Sequence, residues 1–387
     1  MHYLDNAATT PLDPAVRAFM AEAYDELWGN PSSDSALGRA ARRQLDVARD
    51  LLCGMLGARS VVFCGGGTEA TNLAMRGTLR NDAHRGKQRA ILVGEADHPA
   101  VLATAADLER DGHSVVRYPV NHLGRVRLDV FSQLVQSHGD RLAFASILHG
   151  NNENGTLAPV EAMIAVLRQH APLAHVHVDA VQSFAKITVD LDRFDADSIT
   201  IAAHKIHGPK GCGALALGPV RQPVAVCTGG GQELGLRSGT EDAVSARAFA
   251  LAAENWISRQ AEETGRVRAL RDRAERELFA AIDDIEILGD SETRLPHLLP
   301  LGLRRVRGSL VREELEARGI LVSTGSACAS EHREHAGSHV HRAMGVVTAL
   351  AGGALRISFG RFNSDDDVDA LVDELPRIVA RLRRTSA

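Results

Sequence analysis

Between about Pro14 and Trp256, short apolar runs alternate with longer stretches whose apolar positions recur every three or four residues. The runs Val61–Phe63, Ala90–Val93, Val115–Tyr118, Leu142–Leu148, His175–Val178, Ser198–Ala202 and Gly213–Leu217 predict strands. The intervening segments carry helical spacing. Ala36–Leu56 sets Leu45, Leu52 and Leu56 among Arg and Asp, and Ala100–Arg110 and Val160–Gln169 behave alike. Seven strands with crossover helices predict an α/β fold built on a mostly parallel, doubly wound sheet. Such sheets bind ligands beyond the carboxyl ends of their strands, so chemistry is expected in the loops that follow those runs. Trp256–Ile282 then reads as one long, charged helix leading into a smaller α+β unit. The expected division is a large domain over 14–256 and a small one made of 1–13 and 257–387.

Composition narrows the class without changing this picture. The 387 residues are 44% hydrophobic and 24% charged with a net charge of −5, as in an ordinary globular protein. That balance offers no overall field for binding nucleic acid or an anionic membrane. No apolar run reaches the roughly 18 residues a membrane span needs. Asp5 and Asn6 stand where a signal peptide would be cationic and then apolar, so a cytoplasmic location is expected. Five widely spaced cysteines, Cys53, Cys64, Cys212, Cys227 and Cys328, are too few for a disulfide framework and read as reduced thiols. Only Lys87, Lys186, Lys205 and Lys210 are lysines among 44 basic residues. In a chain so biased to Arg, a retained Lys is a candidate for amine chemistry, because it alone can lose its proton and act as a nucleophile.

Three segments carry that chemistry. Phe63-Cys64-Gly65-Gly66-Gly67-Thr68-Glu69-Ala70 runs from a strand into a helix through three glycines. It reads either as a phosphate cradle, with backbone N–H groups and a helix N-terminus facing the anion, or as a tight turn. Asp179 follows a strand that reads as buried, where a carboxylate needs a cationic partner. A pyridinium N–H is one such partner, and a helix N-cap is the alternative role. His204 and Lys205 sit at a strand's end before a Gly/Pro turn, and a walled lysine loses basicity and forms a Schiff base with an aldehyde. Lys210 reads as a solvated turn cation. Taken in order, the three supply a phosphate cradle, an acid for a ring nitrogen and an amine for an aldehyde.

With these pieces in place the chain resembles the cysteine desulfurases of the class-V aminotransferase group, pyridoxal-phosphate enzymes of fold type I. The resemblance runs through Tyr3–Pro11, Gly29–Ser33, the cradle, Asp97–Val101, Asn151–Glu153, the Asp179 and Lys205 segments, Gly229–Glu233, Gly235–Thr240, Gly325–Cys328 and Arg356–Arg361. It implies a mostly parallel seven-stranded sheet with a smaller α+β domain, and pyridoxal 5′-phosphate held by Lys205 as a Schiff base. By the same resemblance Asp179 pairs with the pyridine nitrogen, Gln182 bonds the ring hydroxyl, and His98 stacks on the ring and moves protons. Gly67, Thr68 and His204 hold the phosphate, with Thr240 reaching in from the second subunit of a homodimer. Asn152 and Arg356 hold the substrate, the Arg fork matching a carboxylate. The implied activity turns L-cysteine into L-alanine and an enzyme persulfide.

Cys328 separates this activity from transamination, since sulfur abstraction needs a thiolate to attack the substrate sulfur. It lies among Thr324, Gly325, Ser326, Ala327, Ala329 and Ser330, too little apolar mass to bury, so an exposed loop is expected. The other four cysteines read as small core fillers. The resemblance further implies a protein sulfur acceptor, such as a scaffold for iron–sulfur cluster biogenesis, and no direct contact with nucleic acid or membrane. Three departures stand out. Ala202 replaces a usual phosphate-binding Ser, Asn154 is expected at the edge of the substrate pocket, and four histidines follow the nucleophile. Those histidines, His332, His335, His339 and His341, read as a solvated polar loop with no resident metal.

Overall fold

The computed structural model describes residues 1–81, 84, 86–325 and 338–385. In chain order the strands are β1 (His2–Tyr3), β2 (Ser60–Cys64), β3 (Ala90–Gly94), β4 (Ser114–Tyr118), β5 (Leu142–Leu148) and β6 (His175–Asp179). They continue as β7 (Ser198–Ala202), β8 (Gly213–Leu217), β9 (Ile285–Ile287), β10 (Leu298–Leu303), β11 (Ile320–Leu321) and β12 (Ala354–Ser358). All seven runs read from the sequence form one sheet of order β2-β8-β7-β6-β5-β3-β4. Its pairs are parallel except where β8 lies antiparallel between β2 and β7.

Alternate residues of these strands enter two apolar layers. Phe63, Leu92, Val176 and Ile199 join one, while Val62, Ile91, Val93 and Leu215 join the other. Both faces are therefore covered by helices, as the continuous apolar runs require. Helix Ala36–Leu56 shows the local logic. Ser35 caps it by accepting from Gly38 N, and Gly57 ends it in the left-handed region at φ 61°. Its stripe of Ala41, Leu45, Ala48, Leu52 and Leu56 packs in the first layer.

The charged segment expected as one helix from Trp256 is two. Helix Ala243–Ile257 ends at Ser258, and Gln260–Ala281 begins after Arg259, whose φ of −127° breaks the ladder. The first of these is buried on nearly every side and so carries no amphipathic stripe to read. A separate apolar cluster joins Leu4 to Val267, Leu270, Leu301, Ile357 and Leu371. It is built on the antiparallel sheet β12-β10-β9, with β1 and β11 pairing beside it. No helix among the described residues is long and apolar enough to cross a membrane.

Candidate active site

The carboxyl ends of β2, β6 and β7 open on a cavity of about 250 Å³. Gly67, Thr68, His98, Asn152, Asp179, Gln182, His204, Lys205 and Arg356 all line it. Thr240 does not; it is exposed, on the loop that borders a neighbouring recess. Cys328, His332 and His335 lie outside the described residues.

Each side chain is delivered by a local rule. Helix Gly67–Arg80 starts at Gly66, whose φ of 152° suits glycine, and a Cβ on Gly67 would stand 2.8 Å from Val181 Cγ2. The helix N-terminus thus opens directly on the cavity beside the Thr68 hydroxyl. Asp179 closes β6 at 4% exposure, with Oδ1 accepting from Val181 N at 3.0 Å. Burial pushes its carboxyl up, and the charges of His98 and Lys205 work against that rise. Gln182 Nε2 donates to Ala7 O at 2.8 Å, which leaves a buried Oε1 without a partner.

A short turn, Ala203–Lys205, follows β7 and aims Lys205 inward. Its Nζ donates to Ala7 O at 2.6 Å and to Ala8 O at 2.7 Å. His204 Nδ1 meets Thr9 Oγ1 at 3.2 Å, and burial with the nearby lysines lowers its imidazole to about 4. His98 caps helix Pro99–Arg110, its Nδ1 accepting from Ala100 N at 3.1 Å, which leaves Nε2 as the proton-bearing nitrogen. Burial lowers this imidazole too, opposed by Asp179.

Across the cavity, Arg356 projects from β12 at 3% exposure, which excludes a surface cation. Nη1 donates to Asn152 O at 2.9 Å and Nη2 to Asp5 Oδ1 at 2.8 Å, while Nε is buried without a partner. Asp5 was legible only as part of a motif; nothing in the sequence pairs it with an arginine 351 residues away. Lys186, unlike the half-buried Lys205, is fully buried, which spacing did not reveal. It donates to Gln182 O at 3.1 Å, and burial, then Lys205, lower it to about 7.

Several expectations need correction. Asn154 is 1% exposed and not among the lining residues; its Nδ2 meets Met344 Sδ at 3.1 Å and its Oδ1 accepts from Thr156 N. Cys227 is exposed and Cys53 half-buried, so only Cys64 and Cys212 are core fillers among the four. Cys227 lies on the Gly-rich connection after β8, where an isolated bridge pairs it with Arg237. His341 is buried at 3%, turned inward by a helix that Ser338 caps, instead of solvated. His339 Nε2 lies 2.9 Å from Asp97 O. Ala202 does form part of the cavity wall and offers no hydroxyl.

This architecture is that of a fold-type-I pyridoxal-phosphate-dependent transferase. The aminotransferase class-V profile matches residues 2–371. A cysteine desulfurase of Gluconacetobacter diazotrophicus is 39% identical over 99% of this chain and 94% of its own. An IscS-like cysteine desulfurase of Mycobacterium tuberculosis is likewise 39% identical, over 100% of this chain and 98% of its own. A solved NifS-like protein superposes with a TM-score of 0.91 at 31% identity, covering 98% of this chain and 99% of that one. The chain belongs to the class-V aminotransferase family, among its cysteine desulfurases.

Proposed function

We propose that the protein is a pyridoxal-phosphate-dependent cysteine desulfurase, which converts L-cysteine to L-alanine and passes the sulfur, as a persulfide on Cys328, to a protein acceptor. One observation carries the assignment of residues: an acid, an amine and a glycine cradle open on one cavity with a buried guanidinium opposite. The donor set fits the cofactor. Asp179 offers a carboxylate to a pyridinium N–H, Gln182 Oε1 is buried and unpartnered, and the N-terminus of helix Gly67–Arg80 suits a phosphate. When bound, pyridoxal phosphate supplies the electron sink that stabilises negative charge on the substrate carbons.

The chain's own residues do the rest. Lys205 would supply the amine that holds the aldehyde, and its Nζ lies in the same cavity, where it can carry a proton. His98 offers Nε2 to the cavity, its ring fixed through Nδ1. Arg356, aided by Asn152, takes the substrate carboxylate. The Cys328 thiolate attacks the substrate sulfur; an S–S bond forms as the Cβ–S bond breaks, its electron pair stays on carbon, and a proton completes the methyl group of alanine. We assign the cofactor to the 14–256 unit and Arg356 and Cys328 to the 1–13 and 257–387 unit, a division supported by the separate apolar clusters. A homodimer in which Thr240 serves the partner's phosphate, and a cytoplasmic setting, belong to the same proposal.

Purified protein supplied with L-cysteine should release alanine in step with persulfide. Cys328→Ser should still bind L-cysteine, seen as a change in cofactor absorbance, and release no alanine above background. Pyruvate as the main product, or persulfide formed by Cys328→Ser, refutes the reading.

A further inference from the structure

The groove around the cradle contains a carboxylate where an anion is to be held. Glu69 borders the same recess as Gly66, Thr68 and His204. A bare carboxylate there would repel a phosphate, and in a partly buried groove that repulsion is stronger than in bulk water. The structure also shows what offsets it. Glu69 Oε1 accepts from Arg237 Nε at 2.8 Å, and Oε2 folds back onto Gly65 N at 2.6 Å. Burial raises the Glu69 carboxyl, but the Arg237 and Gly65 hydrogen bonds outweigh it and hold the group below its usual range, so it is ionised and paired.

Arg237 belongs to the loop that ends in Thr240, and a carboxylate of that loop reaches the cradle strand. Glu233, 4% exposed, accepts from Phe63 N at 2.7 Å and from both Arg49 Nη1 and Nη2 at 2.9 Å. Glu233 and Leu234 hold left-handed φ values of 46° and 60°. That conformation is unfavourable for side chains of this kind and persists only where the surroundings fix it. The loop is thus fastened at two points, Phe63 and Glu69, both within the strand and helix that make the cradle.

As a stabilising contact the outer pair counts for little. Arg237 and Glu69 have side chains 32% and 37% exposed, and ion pairs so placed are screened by solvent and stabilise a fold little. Their effect on the groove's field is the larger one, because either charge alone changes what the groove attracts. We propose that Glu69 and Arg237 are positioning residues that form a charge-neutral brace, fixing Gly65 in the cradle and the Thr240 loop beside it while cancelling the carboxylate's repulsion of a bound phosphate. The inference rests on the reading that pyridoxal phosphate occupies this cavity.

The test is equilibrium binding to the cofactor-free protein, followed by absorbance, with pyridoxal phosphate and with unphosphorylated pyridoxal as probes. Arg237→Met should weaken pyridoxal phosphate binding about tenfold and change pyridoxal binding by less than about twofold, because only the phosphate feels the exposed carboxylate. Adding Glu69→Gln to Arg237→Met should recover most of the loss. A brace acting only through structure would make the double variant as weak as the single one or weaker, and that result overturns the proposal. Glu69→Gln alone keeps an acceptor and frees the Arg237 charge, so binding should hold or tighten; a tenfold loss there also overturns it and needs no Arg237 variant that folds. Wild-type protein that binds neither probe overturns the cofactor reading itself, whereas wild-type protein that binds pyridoxal phosphate with an additive cycle overturns the brace alone.

Discussion

Four of the buried imidazoles tie the protein's stability to pH. His149, His175, His177 and His207 are 7%, 2%, 0% and 1% exposed. Burial lowers His149, His175 and His207 to about 4 and His177 to about 3. Three of them make hydrogen bonds as neutral rings. His175 Nε2 and His177 Nδ1 share Ser198 Oγ at 2.7 and 2.8 Å, and His207 Nδ1 donates to Pro11 O while Nε2 accepts from Arg361 N. The folded values lie below the unfolded value of about 6.5, so on acidification the unfolded chain takes up protons first. The stability present above about pH 6.5 is therefore lost as pH falls toward 4. At pH 5 each ring contributes a loss of about 2 kcal/mol, and the four sum to about 8 kcal/mol if independent. Ser198 couples two of them, so those two do not add independently. Against a total stability of about 5–15 kcal/mol that is a large share, and Asp97 works the other way: burial pushes its carboxyl up to about 7, so the folded chain takes up that proton before the unfolded one and regains part of the loss.

His177→Phe isolates the effect. Its ring already stacks on Phe144 at 5.7 Å, so the change loses one hydrogen bond, about 1 kcal/mol, and removes the acid penalty of about 2 kcal/mol at pH 5. Urea unfolding at pH 7.5 and pH 5 should show the variant less stable at the first and more stable at the second. Parallel stability curves for the two proteins would refute the reasoning.

Two other substitutions test the cavity. Ala202→Ser restores a hydroxyl to the wall and should tighten pyridoxal phosphate binding to the cofactor-free protein about tenfold, the value of one hydrogen bond to a charged group; unchanged affinity would mean the phosphate lies elsewhere. Asp5→Asn removes the anion that occupies Arg356 Nη2, so KM for L-cysteine should fall about threefold while the melting temperature drops, because a buried guanidinium has lost its counter-charge. A raised KM would show Asp5 to be an aid to substrate and not its placeholder.

The seven strands were legible because both faces are buried, which leaves nothing polar to interrupt the run; Leu142–Leu148, Ser198–Ala202 and Gly213–Leu217 match residue for residue. Helix Ala243–Ile257 was not, since burial on all sides erases the period that marks a helix. The same contrast holds at the cavity. Lys205, Asp179 and the cradle declare themselves by residue type and by position at strand ends. Asp5, Glu69 and Lys186 do not, because their roles depend on partners such as Arg356, Arg237 and Gln182 that only the folded chain brings near. Sequence shows which groups exist, and long-range pairing decides which of them are charged, neutral or already occupied.

The stretch from Asp5 to Thr10 joins the two halves of the cavity. Ala7 O receives both Lys205 Nζ and Gln182 Nε2, and Thr10 Oγ1 donates to His204 O, so one end is fastened to the turn after β7. The other end is fastened to the second cluster: Asn6 Nδ2 donates to Ser358 O and Asn363 Oδ1, and Asp5 holds Arg356. Asn6 is 3% exposed and satisfied on several sides, which makes displacement of this segment costly. The span from the amine that holds an aldehyde to the guanidinium that takes a carboxylate is therefore held by a few residues of backbone, together with the direct bond from Arg356 Nη1 to Asn152 O. A substrate whose amino and carboxylate groups sit on one carbon presents a fixed separation, and a short tether of this kind is what keeps the two protein groups matched to it.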